Sequence, residues 1–179
     1  MSLVLSGDSP SFSGTYQGGV ITSGTAQATT SGTAIDFTNI PSWVKRITVM
    51  LNGVSTNGSS IPQVQIGTSS GVQSSGYSGS TTSIANSTGV SANLTSGFAF
   101  STSSNWNLGF TLNGKIELAL LDSANGTWVC SGVVGYTGIT LCELLGGTKV
   151  LSGTLDRMRL TTVNGTDIFD AGSVNILYE

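Results

Sequence analysis

Residues 43–54, WVKRITVMLNGV, place Ile47, Val49 and Leu51 on one side of an extended backbone and Arg46, Thr48 and Met50 on the other. A period of two is the signature of a half-buried strand, because successive Cβ atoms point to opposite faces. No stretch long enough for a helix carries apolar residues at i, i+3, i+4 and i+7 between helix caps, whereas β-branched alternation and Gly/Asn turns recur. The expected fold is therefore all-β. IPQVQIG, after STNGSS, reads as the returning strand of a hairpin with 43–54. GFTLNGKIELALLDSANGTWVCSGVVG contains Asn113-Gly114 and Asn125-Gly126, and Asn-Gly readily takes the positive φ angles of a type I′ turn. With FAFSTS, GITLCELL and TLDRMRLTTV the count reaches about eight to ten strands, which suits an antiparallel β-sandwich of jelly-roll type.

The chain of 179 residues is expected to form a single domain. Residues 1–35 read as a strand at Leu3 to Leu5 followed by a Gly/Ser/Thr-rich arm, and 36–179 as the sandwich. The stretch from Gly67 to Gly97 is poor in apolar residues and reads as long exposed loops. Charged residues make up only 8% of the sequence, against roughly 25% in ordinary soluble domains, so the surface is one of hydroxyls and amides. The six basic residues are scattered and the net charge is -3, which leaves no patch to neutralise nucleic-acid phosphates. Neither a secretory leader nor an apolar run of membrane-spanning length is visible, so synthesis in the cytoplasm is expected. The Asn-x-Ser/Thr triplets are what such a composition yields by chance.

Histidine is absent. That removes Ser-His-Asp and Cys-His nucleophilic systems and the commonest transition-metal ligand, and no phosphate-loop, H-E-x-x-H or C-x-x-C pattern is present. No catalytic residue, metal or cofactor is expected. If Tyr136 and Thr137 form a two-residue turn, Cys130 lies opposite Glu143 and Cys142 opposite Ser131, so the thiols point to opposite sheet faces. Two buried free thiols are the expectation; another register would bring them together.

Asp167 and Asp170 form a close carboxylate pair in a turn region, open to an acid–base or Ca²⁺ role. The structural alternative is a hairpin across Asn164-Gly165, which sets Arg159 opposite Asp170, Leu160 opposite Phe169 and Thr162 opposite Asp167. It makes Arg159 and Asp170 a cross-strand ion pair. Ligand contact falls to aromatics among turn residues: Tyr77, Tyr136 and Trp106, the last flanked by Asn105 and Asn107. A flat apolar ring beside amide donors is what sugar rings need, although a lone Trp in a β protein more often fills core or interface. Trp43 reads as a core plug.

Three segments, SGTAIDFTNIPSWVKRITVMLNGVSTNGSS, NGTWVCSGVVGY and LDRMRLTTVNGTDIFDAGSVNILYE, resemble a family of tail-fibre or virion structural proteins of tailed bacteriophages. The resemblance runs from about residue 17 to 179, with divergence between Thr68 and Asn105. It implies an all-β virion component, assembled in the host cytoplasm as a homotrimer among other virion proteins, with its variable loops outward. No catalytic residues carry over; the matching Pro41, Trp43, Arg157, Arg159, Asp167, Phe169, Asp170 and Gly172 read as framework. Three functions stand side by side: a receptor-binding module for host surface glycans, a capsid decoration protein, and a carbohydrate-binding module or glycan hydrolase.

Overall fold

The structure, a computed structural model, describes residues 21–85, 88–102 and 106–179, with the side chains of 85 and 88–90 left aside. The expected strand at Leu3 to Leu5 lies outside the described residues. All described elements are strands, in two antiparallel sheets facing one another as a sandwich.

The larger sheet contains β1 (Thr22–Ser23), β2 (Gln27–Ala28), β4 (Arg46–Thr56), β7 (Tyr77–Ala85), β8 (Thr88–Asn93), β10 (Thr111–Asp122), β11 (Thr127–Thr137), β12 (Cys142–Val150) and β14 (Phe169–Tyr178). Its order is β1-β14-β4-β10-β11-β12-β7-β8, with β2 also on β14. The smaller sheet contains β3 (Ala34–Phe37), β5 (Pro62–Thr68), β6 (Gly71–Val72), β9 (Phe98–Ala99) and β13 (Arg157–Thr162), in the order β3-β13-β5-β6, with β9 on β5. Residues 21–35 thus belong to the sandwich: β1 and β2 extend the large sheet past β14, and β3 opens the small one.

The alternation in β4 holds. Ile47, Val49 and Leu51 are buried and meet Ile116, Leu118 and Val134 of the same sheet, with Val64, Ile66, Met158 and Leu160 contributed by the other. Trp43 packs half-buried against this core with its ring 5.9 Å from that of Tyr178.

Four expectations change. IPQVQIG forms β5 in the opposite sheet, paired with β13, β6 and β9, so STNGSS is a crossover and not a hairpin. The Ser/Thr-rich 77–93 forms the β7–β8 hairpin, paired through β7 to β12. Its alternation is written in hydroxyls: Thr81 and Ser83 turn inward and are buried, while Ser80 is exposed. Asn125-Gly126 does turn the β10–β11 hairpin, with Gly126 at φ 64°, but Asn113-Gly114 lies inside β10. There it forms a bulge. The registers of β10 on β4 and of β14 on β4 both shift at the level of Gly114, Gly53 and Gly172, all with positive φ, and the Asn113 side chain accepts the Gly53 N–H at 2.8 Å. A Cβ on Gly172 would fall 2.4 Å from the Gly53 backbone, so the three strands are bent together at a line only glycine can occupy.

The fourth change concerns Arg159 and Asp170. Asn164-Gly165 makes its turn, with Gly165 at φ 69°, yet β13 and β14 leave it into different sheets. Arg159 instead faces Asp36 of β3 in register and holds it bidentately, Nε and Nη2 each 2.7 Å from a carboxylate oxygen. Asp170 accepts a hydrogen bond from the Ser55 hydroxyl.

Candidate functional site

The aromatics singled out in the sequence are core residues. Tyr77 is buried, T-shaped on Phe98 at 5.0 Å, with the Lys149 ammonium over its ring. β9 reaches β5 only at Gln63 and Val64, and β6 only at Gly67 and Thr68, so the Ile66 N–H falls in the gap between them. The Tyr77 hydroxyl fills it, accepting that N–H at 2.8 Å and donating to Gln73 O at 2.9 Å. Tyr77 therefore ties the two sheets together, and burial pushes its hydroxyl well above the ordinary phenol range. Trp106 is buried against Tyr136, its Nε1 without a hydrogen-bond partner among the described residues, and Tyr136 donates to Phe100 O at 3.0 Å. None of the three rings presents an open face to a ligand. Asn107 is exposed, but its backbone oxygen serves the local turn by accepting Phe110 N, and Asn105 lies outside the described residues.

Beside Tyr136 sits a group that sequence reading passed over. Glu143 is fully buried on the inner face of β12. Ser83 donates to its carboxylate at 2.5 Å, the hydroxyls of Ser101 and Thr81 stand 3.2 and 3.4 Å away, and the Thr102 N–H also donates. No basic side chain pairs with it among the described residues. Desolvation outweighs these donors and raises its pKa above the ordinary carboxylate value. The inward phase of β12, which also carries Leu145, could have flagged it.

Cys130 is buried, with its thiol pushed far up by desolvation, and Cys142 is exposed, so one of the two free thiols differs from expectation. The β11–β12 register runs Cys130 to Gly147 and Gly135 to Cys142, four residues from the two-residue-turn register. An even shift preserves the faces, which is why the thiols still point to opposite sides.

Asp167 serves the turns, and Asp170 joins β14 to Ser55 of β4. Asp167 accepts Ser60 N at 2.8 Å and the Asn164 amide at 2.7 Å, which moors the Asn164–Asp167 loop to the 57–60 crossover. No group of three or more His, Cys, Asp or Glu side chains is arranged to hold a metal among the described residues.

The open concavity lies elsewhere, at the end of the sandwich where the β3–β4, β10–β11 and β12–β13 loops converge. It encloses about 380 Å³, within the range of small-ligand sites. Beneath it lie the buried Val44, Trp128, Leu151 and Leu155, with the half-buried Leu120 beside them, and the surface it exposes is mainly polar. Its rim is polar and exposed: Ser42, Ser123, Asn125, Ser152 and Thr154, with Lys45 as the one ionic lining group. The hydroxyls of Ser42, Ser123 and Thr154 and the Lys45 ammonium make no hydrogen bond or ion pair among the described residues. The nearby Asp122 carboxylate is turned into its own loop, where Ala124 N at 2.8 Å and the Asn125 amide at 2.6 Å hold its pKa below the usual range. The sequence hint was faint. Two Ser/Gly turns and a Pro-Ser strand entry lie far apart along the chain and share an end only once strand order is known.

No helix among the described residues is long and apolar enough to cross a membrane. No protein-family model, curated protein or solved structure matches the chain.

Proposed function

We propose that the chain is a non-enzymatic adhesion module of a tailed-phage virion, which holds host surface glycan at the loop end of the sandwich. The observation that carries this reading is the cavity of about 380 Å³, mainly polar in the surface it exposes and ringed by uncommitted hydroxyls. A saccharide presents a matching circumference of hydroxyls, and a few placed polar groups are what orient a ligand in small-ligand sites. No carboxylate among the described residues lines the cavity, and glycoside hydrolysis calls on a pair of them, which supports binding over cleavage. The resemblance of 31–60, 125–136 and 155–179 to phage virion proteins supplies the context.

A second reading, capsid decoration, is favoured by the outer face of the large sheet. Val133 pairs with Leu144, and Leu144 lies diagonal to Ile84, all three exposed. Such a surface suits another protein chain, either a copy of this one or a neighbouring virion protein. Immunogold labelling of intact particles separates the two: label confined to the tail tip supports adhesion, and label spread over the head overturns it in favour of decoration.

A further inference from the structure

We infer that the ligand of the loop-end cavity is an anionic saccharide, bound through its hydroxyls by the Ser42, Ser123 and Thr154 rim and through its acid group by Lys45. The inference rests on the adhesion reading and names the glycan class that this reading leaves open.

Lys45 is the deciding residue. In a chain whose charge is so sparse, the only ionic group lining the cavity among the described residues is a cation, and no carboxylate among them neutralises it. The three arginines are all paired, Arg46, the next residue, with Glu179, Arg157 with Asp156 and Arg159 with Asp36, whereas Lys45, like Lys115, has no carboxylate partner among the described residues. Asp122, which precedes the rim residue Ser123, spends its oxygens on the Ala124 N–H and the Asn125 amide within its own turn. The Lys45 backbone is fixed: its N–H donates to Glu179 O at 2.7 Å and its carbonyl accepts Leu120 N at 2.8 Å. The ammonium is therefore delivered to the rim from an anchored strand entry with its three donors unspent. A charge-assisted hydrogen bond to an anion is stronger than a neutral one, so an acid-bearing sugar gains over its neutral counterpart at this position.

The test uses the whole protein and calorimetric titration with three trisaccharides: oligogalacturonate, its methyl ester, and a sulfated neutral trisaccharide. The expected result is that one or both acidic probes bind at least about tenfold more tightly than the ester, with affinity falling as salt rises. Binding of the carboxylate, the sulfate or both identifies which acid is read. Lys45→Gln removes the preference while leaving weak binding of the ester. Ser123→Trp, which fills the cavity from its exposed rim, removes binding of every probe without shifting the melting temperature. Equal affinity for ester and acid overturns the anionic assignment while leaving glycan adhesion standing. Binding of none of the three sugars overturns both, and binding that survives Ser123→Trp places the ligand outside this cavity.

Discussion

Tyr77 illustrates how a residue that looks like a surface ligand contact becomes a structural tie once its neighbours are known. Its hydroxyl closes the backbone gap at Ile66, where neither β6 nor β9 reaches. Tyr77→Phe keeps the ring on Phe98 but leaves a buried N–H unpaired, and chemical denaturation is expected to show a loss of about 1–3 kcal/mol with saccharide binding unchanged. Glu143 gives a second residue-scale prediction. Its folded pKa is raised above the ordinary value of 4.5, so the folded state holds the proton more tightly than the unfolded chain does. Its favourable contribution is complete below that ordinary value and is lost as pH rises through the raised one. The melting temperature of Glu143→Gln should therefore be flatter than that of the parent across this window, and an unchanged profile would contradict the assignment. Glu143→Ala removes the carboxylate that the Ser83, Ser101 and Thr81 hydroxyls share and is expected to cost about 1–3 kcal/mol.

Among the elements, the ion pair that fixes register is Arg159 with Asp36, across β13 and β3. A double-mutant cycle on Arg159 and Asp36 should return a coupling of roughly 0.2–1 kcal/mol, as for exposed pairs, and the same cycle on Arg159 and Asp170 should return none. The contrast shows what was legible in the sequence. Period-two alternation located β4, because one of its faces lies on the core and the pattern is local. Asn125-Gly126 was legible as a hairpin for the same reason. Asn113-Gly114 was not, since the dipeptide favours positive φ in either setting and only the neighbours Gly53 and Gly172 turn it into a bulge. Asn164-Gly165 likewise makes a turn, but whether the strands beyond it pair or part depends on the sheet each joins, which is a long-range choice. β7 escaped notice because its buried face is built from Thr81 and Ser83, whose burial is made tolerable by Glu143 sixty residues on.

At the scale of the whole molecule, the low charge and the outward Val133, Leu144 and Ile84 favour self-association. Light scattering is expected to give the homotrimer that the resemblance implies, with Leu144→Lys shifting the protein to monomer without lowering its melting temperature. A stable monomer of the parent chain at micromolar concentration would contradict it. The cavity was not legible from sequence at this scale, because Lys45, Ser123 and Thr154 belong to three connections brought to one end by the strand order. Recognition is proposed to occur there and not at the aromatic cluster of Trp106 and Tyr136. Backbone amide chemical shifts recorded while acidic trisaccharide is added distinguish the two places. Perturbations confined to residues 42–45, 123–126 and 151–155 are expected; perturbations centred on residues 106–110 and 136–141, or none at saturating sugar, would overturn the proposal.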